Sequence, residues 1–179
     1  MKPPSLKMRL RKCEKGTTAI EFAFIAIPFF WLFMGAFEIG AMLLTLYTMD
    51  NAVADAARQI RTGQVAHKGI TADQFKTMVC DKIYMMKDCA GKLYVDVDRF
   101  DDFASVNIPP AVEDDGTLST SVTNPSFSIG NPMDVVVVRV YYKWKFFTPM
   151  IGHFLQSSNM TNERLLTTGA AFRNEPYGS

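Results

Sequence analysis

The 179 residues carry a formal net charge of only +1, but that charge is unevenly distributed along the chain. Residues 1–16 hold six Lys or Arg and one Glu (net +5), whereas residues 17–179 hold thirteen Lys or Arg and seventeen Asp or Glu (net −4). An acidic main part without a basic patch argues against a nucleic-acid-binding protein. The 130 residues after position 49 suffice for one small domain but not comfortably for two.

Residues 17–49 form an apolar segment of 33 residues whose only charged side chains are Glu21 and Glu38. A hydrocarbon core about 30 Å thick needs roughly 20 apolar helical residues, so the segment predicts a membrane-spanning helix. The basic leader predicts a cytoplasmic N-terminus and an exported C-terminal part. A cleaved secretory signal has a shorter apolar region, about 7 to 15 residues long. An uncleaved signal anchor would explain the length and the charged flanks, but not Glu21.

Glu21 is the most informative residue of this segment. An acid at the centre of a membrane helix costs about 2.5 to 3.5 kcal/mol, and less near the interface, so Glu21 needs a partner, a function or interfacial water. The junction Gly16-Thr17-Thr18-Ala19-Ile20-Glu21-Phe22 resembles the processing site of type IV pilin-like precursors, especially those of the Tad (tight adherence) branch. The resemblance implies that a prepilin peptidase cuts after Gly16 and that Thr17 becomes the new N-terminus.

The same resemblance implies an assembly role for Glu21 and the adjoining Phe22. In such families the new terminal amine and this glutamate neutralise one another between neighbouring subunits. Each charge is costly alone in a low-dielectric helix bundle, so the pair would set the axial register of packed helices. The position of Glu38 is less determined by the sequence. It lies 22 residues after Gly16, about 33 Å along a helix, and is expected either to pair within the bundle or to lie near the outer interface.

Further segments resemble TadE-like minor pilins, and the specific part of the resemblance covers about residues 9–64 and the extreme C-terminus. The segments are Pro28 within the apolar run, Gly35–Gly40, Ala52–Gly63 and Phe172–Tyr177. The resemblance implies a non-enzymatic minor pilin or pseudopilin that takes part in assembly, initiation or tip structure of a Tad/Flp-type pilus for adhesion and surface colonisation. The long exported part favours a minor subunit, because major Tad pilins have little after the helix.

The implied partners are a prepilin peptidase, other Tad pilins and minor pilins, the inner-membrane assembly platform and membrane lipid. The implied location is the bacterial inner membrane, as a single-pass protein with a periplasmic domain, or the extracellular pilus. Two alternatives stay open. One is an uncleaved bitopic anchor whose periplasmic domain scaffolds a secretion or pilus assembly complex, and the other is a ligand-binding or enzymatic domain on a membrane tether.

The helical pattern runs from Thr17 to about Thr62, a length of about 69 Å. Pro28 predicts a kink, because proline removes a backbone donor and clashes with the carbonyl of Phe24. Small residues at helical spacing predict close packing of membrane helices, although such residues are also simply frequent there. They are Ala19, Ala23, Ala26, Ala36 and Gly40, with Pro28 between them. From Val53 to Gln64 the pattern becomes amphipathic, which predicts packing on the soluble domain.

Residues 63–179 predict a periplasmic α+β domain with a second helix and an antiparallel sheet. The helix is predicted over Asp73–Asp88, with Thr71 as its cap. Strands are predicted at Leu93–Asp98, Met133–Phe147 and Arg164–Phe172. The proline-rich segment 107–132 is expected to be a long loop with a hairpin near 117–122, either a solvated insertion or a binding surface. Residues 146–155 are expected to fold over the core before the last strand.

Three cysteines occur, and Cys13 lies in the leader. Cys80 and Cys89 lie in the exported part, where an oxidising compartment favours a disulfide between them, with free thiols or an intermolecular bridge as alternatives. The histidines, His67 and His153, form no metal-binding doublet, and no phosphate-binding glycine loop or nucleophile elbow occurs. No catalytic site, cofactor or metal is therefore predicted. The spacing of Asp96, Asp98, Asp101 and Asp102 lacks the features of a calcium loop and predicts a solvated strand end.

Overall fold

The computed structural model describes residues 16–83, 88–113, 115, 117–148, 151–157 and 160–177. Within these residues one long helix is followed by a small domain of short helices and a three-stranded antiparallel sheet. The α+β prediction is therefore confirmed. The basic leader and Cys13 lie outside the described residues, apart from Gly16.

Helix α1 spans Thr17–Arg61, 45 residues, and contains Pro28 in its interior. Its predicted end at Thr62 is correct to one residue. Arg58 and Arg61 lie in its last turn, where positive side chains complement the partial negative charge of a helix C-terminus. By length and composition, α1 qualifies as a membrane-spanning helix, and its most apolar 18-residue window has a mean hydropathy of 1.9.

Two short helices follow α1. Helix α2 spans Gln64–Lys68, and α3 spans Ala72–Cys80. Thr71 caps α3 as predicted, because its hydroxyl accepts from the Gln74 N–H (3.4 Å) while its own N–H donates to the Gln74 side chain (2.9 Å). This reciprocal arrangement satisfies two otherwise unpaired donors at the helix start.

The predicted extent of this second helix, to Asp88, is wrong for the described residues. The chain leaves the helix after Cys80 and turns through Asp81, and α4 then spans Cys89–Lys92. The reason is the disulfide between Cys80 and Cys89, whose Cα atoms are 5.8 Å apart. In a continuous helix nine residues would separate these atoms by about 13.5 Å. The predicted disulfide and the long predicted helix were therefore incompatible, and the disulfide is the one that forms.

The sheet has the order β1-β2-β3, with both pairs antiparallel. Strand β1 spans Leu93–Phe100, β2 spans Val135–Lys145 and β3 spans Glu163–Arg173. Strands β1 and β3 contain the predicted strands, and both ends of β2 lie within two residues of the predicted ends. The central strand is buried over its first eight residues, Val135–Tyr142, because both faces of β2 are covered. Alternate residues of the three strands pack with α1 and α3 into one hydrophobic core: Leu93, Val95, Val97, Val136, Val138, Val140, Tyr142 and Leu166.

The opposite face of the sheet holds a buried ionic network. Asp96 lies directly across from Arg139 in the register of β1 and β2. The Arg139 guanidinium donates to the carboxylates of Asp96 (2.5 Å) and Asp98 (2.7 Å), and the Asp96 side chain is only 2% exposed. The prediction of a solvated strand end is thus wrong for Asp96 and Asp98. It fits Asp101 and Asp102, which are exposed.

The long loop between β1 and β2 is not simply a solvated insertion. Its first part, residues 107–110, is exposed, but Val122 is fully buried in the short helix α5, Thr120–Thr123. Ser126 then donates its N–H to Asp96 (2.8 Å), and Phe127 forms a parallel bridge with Val97. The predicted hairpin is reduced to a single antiparallel bridge, between Val112 and Leu118. The loop therefore returns to the sheet and covers its ionic network.

The C-terminal segment closes on the end of α1. Glu175 forms an ion pair with Arg61 (3.3 Å), and its N–H donates to the Arg61 carbonyl (2.9 Å). The Tyr177 ring lies over Gly63, where an added Cβ would come within 2.4 Å of the ring. Gly63 also has φ = 74°, a conformation that favours glycine. The C-terminal segment is thereby joined to the end of α1. Burial raises the pKa of the Tyr177 phenol, as does the nearby negative charge of Asp134.

We predict that Gly63→Ala destabilises the domain by about 2 to 4 kcal/mol, from a left-handed alanine plus overlap with the Tyr177 ring. Gly69→Ala is the matched control, because Gly69 also has positive φ (60°) but has nothing within 4 Å of an added Cβ. The control should lose only about 1 to 2 kcal/mol. Thermal unfolding of the detergent-solubilised chain measures both, and equal losses would contradict the packing role of Tyr177.

Candidate assembly and anchoring site

Helix α1 changes its surroundings at Gly35. From Gly16 to Met34 every residue is exposed except the half-buried Ala26 and Trp31. From Gly35 onward one face is buried, at the 3 to 4 residue spacing of a helix face. The buried residues are Gly35, Glu38, Met42, Thr45, Met49, Ala52, Val53, Ala56, Ala57 and Ile60. Apart from Ala26 and Trp31, the first 18 residues of α1 are therefore an exposed apolar helix, about 27 Å long, which we call the free part of α1.

The sequence predicted packing against the domain only from Val53, which is 18 residues too late. The earlier part of the buried face includes Gly35, Glu38 and Thr45, none of which is a large apolar residue. The exposed faces of the same segment are rich in large apolar side chains, such as Phe37 (63% exposed). Hydrophobic periodicity therefore could not distinguish the buried face from the exposed ones.

Glu38 is completely buried, and its carboxylate binds two consecutive backbone amides after β2. One carboxylate oxygen accepts from the Phe147 N–H (2.6 Å) and the other from the Thr148 N–H (3.0 Å). Hydrogen bonds to a charged acceptor are shorter and stronger than neutral ones, and they offset the cost of burying the carboxylate. Of the two expectations for Glu38, pairing within a helix bundle does not describe this contact, because the partner belongs to the protein's own domain.

Neighbouring contacts fix the segment that supplies these amides. The Phe146 N–H donates to the Asn162 carbonyl (3.0 Å), and the Asn162 side chain donates to the Phe146 carbonyl (2.7 Å). Helix α6, Ile151–Leu155, follows, and Ile151 packs on Gly35 so closely that an added Cβ there would lie 2.8 Å from its side chain. The described residues of the predicted connection, 146–148 and 151–155, lie against the core and contact α1 at Gly35 and Glu38.

The predicted processing and assembly residues lie at the free end of α1. Gly16 is exposed and has nothing within 4 Å of an added Cβ, and α1 begins at the next residue, Thr17. Glu21 and Phe22 are also exposed, and Glu21 forms no hydrogen bond or ion pair within the described part of the chain. The two acids of the apolar segment therefore differ, since Glu38 is used inside the domain and Glu21 is left available.

The small residues proposed for helix packing are also on the surface of this chain. Ala19, Ala23, Pro28, Ala36 and Gly40 are all exposed, whereas Ala26 is half-buried. Gly40 has nothing within 4 Å of an added Cβ. Gly35 was not among these candidates. It is the small residue that allows Ile151 to approach α1 closely.

The disulfide prediction is confirmed, because Cys80 and Cys89 are bonded and join the end of α3 to the start of α4. Closing a loop of about ten residues contributes about 2 to 3 kcal/mol in the chain-entropy model. Both cysteines pack against the hydrophobic core. The bond thus holds the start of β1 beside α3.

No arrangement of catalytic groups was found in the described residues. Within them, no group of three or more His, Cys, Asp or Glu could hold a metal ion. A cleft of about 330 Å³ between α1 and β3 is open to solvent and is lined by Leu43, Leu46, Tyr47, Asp50, Thr167 and Thr168. Within this cleft the Thr168 hydroxyl donates a hydrogen bond to the Asp50 carboxylate (2.8 Å), which joins the helix to the sheet.

A comparison with known protein families gives one match, and it covers most of α1. Residues 16–58 match the family described as TadE-like protein, which confirms the resemblance over this part of the chain. The match begins at Gly16 and extends over both the free and the clamped parts of the helix. No curated protein and no solved structure gave a significant match.

We predict that Glu38→Gln lowers the free energy of unfolding by about 2 to 3 kcal/mol, because both backbone amides lose a charged acceptor and one of them then faces the NH2 donor of the glutamine side chain. Hydrogen exchange at Phe147 and Thr148 should accelerate. Glu21→Gln is the matched control in the same apolar segment and should change neither quantity, since Glu21 is exposed. Thermal unfolding and amide exchange of the solubilised chain test this, and unchanged protection in Glu38→Gln would contradict it.

Proposed function

Taking the TadE-like match as a premise, we propose that this Tad pilus-associated chain is a non-enzymatic minor pilin, or pseudopilin. It would take part in assembly, initiation or tip structure of a Tad/Flp-type pilus. The observation that carries the proposal is the free apolar end of α1, which presents Gly16, Thr17 and Glu21 outside the protein's own core. A helix with this surface is suited to the bilayer before assembly and to neighbouring helices afterwards.

The contrast between the two acids supports an intermolecular role for Glu21. Glu38 has its partners within the domain, whereas Glu21 is exposed in an apolar helix and has none within the described chain. An unpaired carboxylate is costly in a membrane or helix bundle, so its partner is expected from another molecule. The Thr17 amine of a neighbouring processed subunit has the required charge. Because Glu21 is the fifth residue of the processed chain, such pairing would stagger adjacent subunits by about one helical turn.

The exposed small residues support close packing of α1 with neighbouring helices. Ala19 and Ala23 are one helical turn apart, as are Ala36 and Gly40. Small residues at this spacing let helix backbones approach closely in membranes. The proposed contacts are with other Tad pilins and minor pilins, after delivery through the inner-membrane assembly platform.

The proposed topology is a single pass through the bacterial inner membrane. The net charge of +5 on residues 1–16 favours a cytoplasmic N-terminus, and the disulfide-bonded domain suits the periplasm. A prepilin peptidase would then cut after Gly16. The alternative is an uncleaved bitopic anchor whose domain scaffolds a secretion or pilus assembly complex. It uses the same topology but leaves the leader in place and gives Glu21 no terminal amine to pair with.

Processing separates these two functions. We predict that the chain extracted from membranes of cells with an active Tad system begins at Thr17. Gly16→Val should retain the leader, because a bulky residue replaces the glycine before the cleaved bond. N-terminal sequencing and intact mass measure both chains. An intact leader on the unmodified protein would favour the uncleaved anchor and contradict the minor pilin.

We predict that Glu21→Ala inserts and is processed normally but is not incorporated with other pilins, because the terminal amine of its neighbour loses its counter-charge. Glu21→Gln tests the charge alone, since it keeps the side-chain shape. An intact disulfide and unchanged thermal unfolding would show that each variant is folded. Quantification of the subunit in sheared pili and membrane complexes is the measurement, and wild-type incorporation of both variants would refute the pairing role.

A further inference from the structure

The connection between β2 and β3 is the part of the soluble domain closest to the membrane end of α1. Strand β3 runs along α1 in the same direction, because Thr168 bonds Asp50 while Glu175, further along the chain, pairs with Arg61. Strand β3 therefore starts toward the free end of the helix. The pairing of Lys145 with Glu163 places the end of β2 there as well.

Two contacts fix the level of this connection along α1. Glu38 binds the amides of Phe147 and Thr148, and Gly35 receives Ile151. The free apolar helix before Gly35 is 18 residues, or about 27 Å, which is close to the hydrocarbon thickness of about 30 Å. If this free segment crosses the bilayer, then Gly35 and Glu38 lie at its outer boundary. The connection is held at the same level.

The composition of the connection suits that boundary. Residues 146–155 contain no Asp, Glu, Lys or Arg. Among the described residues of this stretch, Phe147 is 55% exposed and Phe154 is 71% exposed. Large aromatic side chains that are exposed on a short connection are unfavourable in water and favourable at a membrane interface.

Exposed charges flank the connection at its base. Lys145 precedes it and Arg164 follows it, and both are exposed, with the half-buried Glu163 directly opposite Lys145 in the sheet register. The Arg164 guanidinium donates to the carbonyl of Leu155 (3.0 Å), so its charge is held beside α6. Basic side chains bordering an apolar tip match anionic headgroups bordering acyl chains.

We propose that Phe147 and Phe154 insert into the outer interface of the bilayer that α1 crosses. They would form a second, interfacial membrane anchor in addition to α1. The occupant of this surface is lipid, because the connection that carries both side chains is bound to α1 at the outer end of the exposed apolar part of the helix. The anchor would fix the tilt and rotation of the domain relative to the membrane. This inference rests on α1 spanning the bilayer, and it does not require cleavage or pilus assembly.

Environment-sensitive probes on single cysteines test the proposal in the full chain. Cys13→Ser leaves Cys80 and Cys89 in their disulfide, so Phe154→Cys supplies one free thiol for an NBD label. Phe103→Cys is the matched control. Phe103 is also an exposed phenylalanine (55%), but it follows β1 beside Arg173, at the opposite end of the sheet. Phe24→Cys reports whether α1 itself is inserted.

The labelled chains are reconstituted in vesicles of phosphatidylethanolamine and phosphatidylglycerol, with and without lipids that carry nitroxide quenchers near the headgroup end of the acyl chain. We expect blue-shifted emission and severalfold stronger quenching for the probe at 154 than for the probe at 103. A probe at 154 that behaves like the one at 103, while the probe at 24 is lipid-exposed, would overturn the interfacial anchor and leave the α1 span intact. If neither the probe at 24 nor the probe at 154 is exposed to lipid, both the α1 span and the interfacial anchor are overturned.

A neighbouring protein is the main competing occupant. A blue shift at 154 that grows with the protein-to-lipid ratio and resists lipid quenching would assign the surface to a second copy and overturn the lipid contact. Retention of the disulfide mass and of the unlabelled chain's thermal unfolding shows that each labelled chain is folded.

Discussion

The buried carboxylate of Glu38 is the contact on which the arrangement of helix and domain depends. It lies in an apolar helix, so it is tolerated only because the amides of Phe147 and Thr148 satisfy both of its oxygens. Those amides belong to the segment that carries Ile151 onto Gly35. One interaction therefore fixes where the domain begins along α1, and with it how much of the helix is left free.

Helix α1 has two parts with different surroundings, a free part before Gly35 and a clamped part from Gly35 onward. The free part has exposed small residues, exposed phenylalanines and the exposed Glu21, all of which can meet lipid or other helices. The clamped part is a structural element of the domain. Its far end is held by the C-terminal segment, through the Arg61–Glu175 ion pair and the contact of Tyr177 with Gly63. The domain is therefore attached to the clamped part of α1 near both of its ends.

Much of the fold could be predicted from the sequence because the signals are local. The extent of α1, the Thr71 cap and the three strands follow from composition and periodicity within a few residues. The helix to Asp88 failed because a covalent cross-link overrode its periodic pattern. Asp96 and Asp98 were misjudged because acids at a strand end are usually solvated. Their partner, Arg139, lies across the sheet, about forty residues away in sequence.

The sequence by itself predicted a membrane-spanning helix, a pilin-like junction at Gly16 and Thr17, the disulfide and the α+β class. Each of these depends on the spacing of residues close together in the chain. Only the tertiary structure showed that Glu38 is bound within the protein, whereas Glu21 is exposed. The sequence distinguished Glu21 by its place after Gly16, but it did not indicate what Glu38 contacts. The amide of Thr148 that distinguishes them is 110 residues from Glu38, and no local pattern records which distant backbone groups will meet a side chain after folding.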